Sequence, residues 1–275
     1  MSSLLDFEIS QKVWNAKLPI KILFDIEEVE EYAIDTKWNP IFLEASRCSY
    51  LPLLTNRVRT ILSGLDIKIP DSDYDNVWYE YNHEPLRWHY PIGLLYDLYG
   101  HLIPLPWSIT IHFKNLPTNS ILARPTIDTI QSMFMSMIKE ADFLRNGNTK
   151  KVMNLSKRDH TQLWQSIASD NYNDFWSVNK QLVEYTPSNR HIPIRLYLSP
   201  DCPVIQELVS FHDEADKEKV RTIGDVVIEI IPELSERNIQ IITHGISLPS
   251  ETPINWAYVN LCFPDSFLHL IITTE

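Results

Sequence analysis

Glycine is scarce in this chain of 275 residues, with six in all, at positions 64, 93, 100, 147, 224 and 245. None are clustered, so no Walker or Rossmann phosphate loop can be drawn. Cysteine is scarcer: Cys48, Cys202 and Cys262 lie far apart with no CxxC pair. That usage fits free thiols in a reducing compartment rather than a disulfide framework. A cysteine nucleophile needs a nearby base and an electropositive setting, and no local motif brings His101 or His112 to one. Cys48 and Cys262 sit in apolar stretches and read as packing residues. His83-Glu84 has no second histidine one helical turn on, and Pro85 separates His83 from His89, so no metal ligand set is read. No uninterrupted apolar run approaches the roughly 18–20 residues of a membrane span. Asp6 and Glu8 interrupt what would be the core of a signal peptide. The expectation is a soluble cytoplasmic protein with no cofactor and no catalytic residues, which favours binding or scaffolding.

Positive charge is also in short supply. Lys plus Arg is 24 against 36 Asp plus Glu, a net charge of −12. Nonspecific nucleic-acid binding normally leaves a footprint of clustered basic charge, so no nucleic-acid partner is expected. At 44% hydrophobic and 22% charged, the composition is that of a globular chain. Its length permits one to three small domains.

What is present falls into three blocks. Residues 18–24 read as a strand, and the acidic stretch Asp25 to Asp35 follows. A second strand, Phe42 to Cys48, leads into a helical pattern with apolar Leu51, Leu54, Val58, Ile61 and Leu62. Val77 to Tyr81, a short helix around Gly93 to Leu98, and Ser108 to Phe113 complete the order. Residues 192–273 repeat it: strands at Ile192 to Leu198 and Val204 to Phe211, then a charged loop from His212 to Lys219. Next comes a helix opened by Thr222 with Asp225 at the capping-box position, with Val226, Val227, Ile230, Ile231 and Leu234 facing the sheet. Strands at Ile239 to Ile242 and Phe267 to Ile272 close the block. Strands interrupted in this way by one main helix predict an α+β fold with two ubiquitin-like (β-grasp) domains.

The middle block, 125–186, carries helical patterns and almost no strand signal. Pro125 suits the first turn of a helix. An apolar stripe follows at Ile127, Ile130, Met133, Phe134, Met137, Ile138, Ala141 and Leu144, and Gly147 ends it. Ser156 with Asp159, and Asn171 with Asp174, are cap signals for two more helices. Lys139 falls roughly opposite the stripe, at about 100° per residue, so its amine should reach solvent. Glu140 and Asp142 beside it would tend to keep that amine charged. Met135 and Phe143, one turn either side, form either an apolar docking surface around an exposed lysine or packing against a neighbouring helix. Arg145, Lys150, Lys151, Lys157 and Arg158 share one helix connection without an acid. They read either as a contact for an anionic membrane surface or as a solvated loop.

Several longer runs are similar to the autophagy protein 5 family. They are Pro85-Leu86-Arg87-Trp88-His89-Tyr90-Pro91-Ile92-Gly93-Leu94-Leu95-Tyr96-Asp97, Pro106 to Lys114, Met135 to Asp142, His160-Thr161-Gln162-Leu163-Trp164 and His244-Gly245-Ile246. The resemblance covers most of the chain from about Val13, and is poor over 25–40, 66–76 and 213–219. It implies an N-terminal helical segment (1–17), a first ubiquitin-like domain (18–116), a helix-rich domain (123–188) and a second ubiquitin-like domain (190–275). It implies that Lys139 accepts an isopeptide bond from autophagy protein 12, and that the chain binds the N-terminal helix of autophagy protein 16. The conjugate then acts like a ligase. It recruits the autophagy protein 3 conjugating enzyme so that autophagy protein 8 is joined to phosphatidylethanolamine at the preautophagosomal (isolation) membrane, where the chain would be peripheral. Pro91, Ile92, Gly93, Asp97, Gly245 and Ile246 are candidate linings of the partner-helix groove, with the alternative that the aliphatics are core and Gly93 a close approach. The competing functional reading is an unconjugated ubiquitin-like adaptor; a thiol-dependent enzyme ranks third.

Overall fold

The computed structural model describes residues 6–32, 40–100, 104–183, 191–212 and 220–274. The chain opens with helix α1 (Phe7–Asn15) and continues through β1 (Lys17–Phe24), α2 (Ile26–Glu31), β2 (Ile41–Ser46), α3 (Leu51–Gly64), α4 (Asp71–Tyr74), β3 (Trp78–Tyr81), β4 (Glu84–Pro85), α5 (Ile92–Gly100) and β5 (Trp107–His112). The bundle helices are α6 (Ile127–Asn146), α7 (Lys150–Met153), α8 (Lys157–Ala168) and α9 (Tyr172–Val183). The last block holds β6 (His191–Tyr197), β7 (Ile205–Ser210), α10 (Ile223–Ile230), β8 (Ile239–Thr243), β9 (Ile246–Leu248), α11 (Ile254–Leu261) and β10 (Leu268–Thr274). Two compact units result: Ala16–Met133, and the described residues of Met1–Asn15 with Phe134–Glu275.

The first unit is a five-stranded sheet in the order β2-β1-β5-β3-β4, with β1 and β5 parallel and the other pairs antiparallel. Leu18, Ile20, Ile22 and Phe24 alternate inward along β1, as a half-buried strand requires. Helix α3 buries Leu51, Leu54, Val58 and Leu62, and its Thr55 hydroxyl shares a hydrogen bond of 3.1 Å with Tyr79 of β3.

The second unit repeats the topology, with the order β7-β6-β10-β8-β9. The repeat extends to the turns. Asn82-His83 closes β3–β4 and His244-Gly245 closes β8–β9, each with two residues at positive φ. That is the conformation of a two-residue type I′ hairpin, whose twist matches the flanking strands. One difference separates the two sheets. In the second, Ile192, Ile194 and Leu196 with Leu268, Leu270 and Ile272 fill the core beneath α10 and α11. Tyr197, His269 and Ile271, on the other face, are buried as well. A sheet covered on both faces reads as a nearly continuous apolar run rather than an alternating one, and β10 is such a run.

The bundle belongs to the second unit from Phe134 onward. Ser156 accepts from the Asp159 N–H at 3.1 Å to start α8, and Asn171 does the same for Asp174 at 3.1 Å to start α9. Gly147, at φ +67°, stops α6, its N–H donating to the Phe143 carbonyl. Helix α1 packs on α9 and α11 in this unit: Trp14 lies 4.9 Å from Phe175, and Ser10 hydrogen-bonds Tyr172 at 2.6 Å. Ile9 and Val13 of α1 pack against the second core.

Several expectations need correction. Pro125 precedes α6 rather than lying in its first turn; Thr126 is the residue whose hydroxyl accepts from the Thr129 N–H. Strands β4 and β9 and helices α2, α4, α7 and α11 lie outside the sequence expectation, because two to eight residues are too few to set up a readable period. Ile231 ends α10 instead of extending its buried face, and Leu234 follows on a separate 3₁₀ turn. Residues 1–5, 33–39, 184–190 and 213–219, together with His101, lie outside the described residues, and with them parts of the expected acidic stretch, charged loop and domain limits.

At α10 the Thr222 hydroxyl accepts from the Asp225 N–H at 3.1 Å, while the Asp225 carboxylate accepts from the Thr222 N–H at 3.1 Å. Thr222→Ala should therefore lower stability by about 1 kcal/mol. A urea titration followed by circular dichroism, with an unchanged slope and a lower midpoint, measures it.

Candidate functional site

Helix α6 carries Met135, Lys139 and Phe143. Its buried side chains are Ile130, Phe134, Ile138, Ala141, Asp142 and Arg145. Lys139 lies one residue, about 100°, past Ile138, so it emerges at the margin of the buried face and is partly exposed. Opposite the apolar stripe, as the spacing places it, Lys139 is partly rather than fully exposed. The polar residues Asp142 and Arg145 widen the buried face and move its centre toward Lys139. Among the described residues, the Lys139 amine makes no ion pair. Phe143, one turn on, is 55% exposed. Of the two readings open for it, packing inside the bundle does not hold. Met135, one turn before, is partly exposed.

The acids expected to hold Lys139 charged are both engaged elsewhere. Glu140 accepts from Arg195 Nη2 at 3.3 Å and from Gln206 Nε2 at 2.8 Å, on β6 and β7. Asp142 is fully buried, accepting from the Val152 N–H at 3.1 Å and from Asn146 Nδ2 at 2.6 Å. Asp142 thereby orients α7 by satisfying an N–H that burial would otherwise leave costly. Arg195 also lies 3.8 Å from the Phe267 ring centre. Beneath Phe267, His269 joins Asp265 at 2.9 Å and Tyr197 at 2.8 Å, all three buried. Burial alone would raise the Asp265 carboxyl. His269, the charge of Arg195 and the Phe267 N–H together hold it below its ordinary value.

Arg145 does not belong with the basic residues of the connecting loop. It is 3% exposed and donates to the Tyr258 hydroxyl at 2.7 Å, so it holds α6 against α11 and offers nothing to a membrane. The physical reason is its place on the inward face, one turn after Ala141 and Asp142. Lys150, Lys157 and Arg158 are exposed and Lys151 partly so.

The groove candidates occupy separate units. Ile92 and Asp97 are 0% and 1% exposed, so their side chains do not line a surface of the chain. Asp97 forms a buried ion pair with Arg47, whose guanidinium also donates to the Gly93 carbonyl at 3.2 Å. Gly93 donates its N–H to the Arg47 carbonyl at 2.8 Å, and a Cβ there would meet Arg47 Cβ at 2.7 Å. Its role is a close backbone approach. Pro91 is buried too. Gly245 is explained by its hairpin turn, while Ile246 after it is 43% exposed and stays a surface candidate. Two of the three thiols offer little nucleophilicity: Cys48 is buried, and burial pushes the Cys262 thiol up to about 12. Sequence reasoning missed Arg195, Gln206 and Tyr258. The available signal was a single arginine in the otherwise apolar run Ile192 to Leu198.

Two β-grasp sheets of one strand order, with a helical bundle between them in the chain, define a protein with a pair of ubiquitin-like domains. Residues 13–113 match the family model "Autophagy protein ATG5, UblA domain", 127–185 the "alpha-helical bundle region" and 191–272 the "UblB domain". The chain is 34% identical over 271 residues to autophagy protein 5 of Drosophila melanogaster, covering 97% of each. It is 29% identical over 304 residues to autophagy protein 5 of Phaeosphaeria nodorum, covering 96% of each. The crystal structure of Kluyveromyces marxianus Atg5 matches with a TM-score of 0.78 at 26% identity, over 96% of this chain and 98% of that one. The chain belongs to the autophagy protein 5 family, which gives it a role in autophagy.

The buried place of Arg145 makes a prediction. Arg145→Ser should cost about 2 kcal/mol in urea unfolding and leave affinity for anionic vesicles unchanged. A weaker vesicle affinity at full stability would return Arg145 to the basic surface.

Proposed function

We propose that this chain is a non-catalytic autophagy scaffold, conjugated through Lys139 to the ubiquitin-like autophagy protein 12. The observation that carries the reading is the state of α6. Its inward residues and both neighbouring acids are tied into the fold, whereas the Lys139 amine has no ion pair among the described residues and stands beside exposed Phe143. An acceptor needs no catalytic machinery of its own, because the modifier arrives as a thioester on a conjugating enzyme. The lysine amine, having lost its proton, attacks the thioester carbonyl. A C–N bond forms, the C–S bond breaks, and the thiol leaves with the conjugating enzyme. Phe143 and Met135 supply an apolar surface against which the modifier can dock.

In this reading the partner helix comes from autophagy protein 16. Ile246 is the groove candidate with an exposed side chain, and Gly93, Asp97 and Ile92 support the first domain from within. The conjugate recruits the autophagy protein 3 conjugating enzyme and promotes transfer of autophagy protein 8 to phosphatidylethanolamine. Lys150, Lys151, Lys157 and Arg158 favour peripheral attachment of a cytoplasmic chain to the anionic isolation membrane. Each cation near such a surface contributes about 1 kcal/mol.

Expression with the conjugating machinery should give a covalent adduct that survives reductant, and Lys139→Arg should abolish it. An adduct that persists through another lysine moves the site, and no adduct with the unaltered chain supports the unconjugated adaptor instead. For the membrane, replacing Lys150, Lys151, Lys157 and Arg158 together by Ser should weaken binding to phosphatidylserine vesicles at least tenfold. Equal binding by the altered and unaltered chains removes the loop from that role.

A further inference from the structure

Three side chains near Lys139 form a closed ring. Arg195 Nη2 donates to Glu140 at 3.3 Å, Gln206 Nε2 donates to Glu140 at 2.8 Å, and Arg195 Nε donates to Gln206 Oε1 at 2.8 Å. Arg195 and Gln206 are cross-strand partners in the β6–β7 register, so the sheet backbone sets their spacing. The Arg195 side chain is 15% exposed, lies over Phe267 at 3.8 Å and approaches Met137 Sδ at 3.7 Å. Its guanidinium is thus fixed by packing as well as by hydrogen bonds. Five residues further along α6, Arg145 meets Tyr258 at 2.7 Å. Asp142, bonded to the Val152 N–H at 3.1 Å, and Arg145 hold one side of the helix; Glu140 lies about 160° around the axis from Asp142, so a grip on it resists a roll from the other side.

From this geometry we infer that Arg195 and Gln206 of the second β-grasp domain are positioning residues for transfer onto Lys139: by gripping Glu140 they set the rotation of α6 and so the point where the lysine amine emerges. The inference rests on the conjugation reading above and extends it, since it gives the second ubiquitin-like domain a part in the transfer step. Nucleophilic attack on a thioester needs the amine within a narrow approach geometry, and a displacement of about 1 Å can cost up to a hundredfold in rate. Glu140 is adjacent in sequence to Lys139, so any roll that shifts one shifts the other.

The test is single-turnover transfer from conjugating enzyme charged with the modifier, over a range of charged-enzyme concentrations. Arg195→Met keeps the aliphatic stem over Phe267 and removes the grip. Its rate at saturation should fall about tenfold, with the half-saturating concentration unchanged. The melting temperature should move by no more than about 2 °C, because a partly exposed ion pair stabilises little. Gln206→Ala should fall in the same direction, and Arg195→Lys should recover part of the rate. Full-rate transfer by both Arg195→Met and Gln206→Ala overturns the inference. So does a rate loss accompanied by a large fall in melting temperature and no recovery in Arg195→Lys, which marks a structural role alone. Lys139→Arg, run alongside, separates the two levels: an adduct surviving there defeats the conjugation reading itself, whatever the Arg195 variants do.

Discussion

The rotation of α6 about its own axis is the constraint on which the candidate site depends. Ile130, Phe134, Ile138 and Ala141 would by themselves turn the helix only loosely toward its neighbours, because apolar burial is non-directional. Directional contacts narrow the choice. Asp142 turns inward to the Val152 N–H, Arg145 to the Tyr258 hydroxyl, and Glu140 to Arg195 and Gln206. Once these are satisfied, Phe143 is left exposed and Lys139 partly exposed, with no ion pair to Lys139 among the described residues. A partly exposed lysine one turn from an exposed aromatic ring is thus a by-product of where the charged neighbours go.

The two ubiquitin-like domains share a strand order and a hairpin geometry but differ in how they are covered. The second sheet is buried on both faces, and its outer face carries Arg195 in place of an apolar residue. The position serves as a socket for Glu140 because the Phe267 ring packs against the guanidinium, with the buried Asp265 close enough to feel its charge. The first domain spends its buried charge pair, Arg47 with Asp97, on its own interior, where that pair and the close approach of Gly93 fix α5. A buried pair of this kind gives specificity of arrangement more readily than stability.

Much of this was legible in the sequence because its determinants are local. The caps at Ser156, Asn171 and Thr222 announce themselves within four residues, and the stripes of α3 and α6 within a few turns. The duplicated order of elements followed from those, as did the two-domain reading. What could not be read were contacts between residues far apart in the chain. Periodicity places a charged residue outward by default, so it reveals neither the Val152 N–H as the partner of Asp142 nor the Tyr258 hydroxyl as that of Arg145. The same default put Arg145 among the membrane candidates. Asp97 looked like a surface residue of a partner groove, and Gly93 either that or a close approach; their true neighbour, Arg47, lies some 50 positions earlier.

The central claim, that the fold leaves Lys139 as the acceptor, is tested most directly by mass-spectrometric mapping of the branched peptide formed in a fully reconstituted conjugation with every lysine intact. The account predicts the isopeptide branch at Lys139. A branch at Lys150 or Lys151, with Lys139 unmodified, would contradict it.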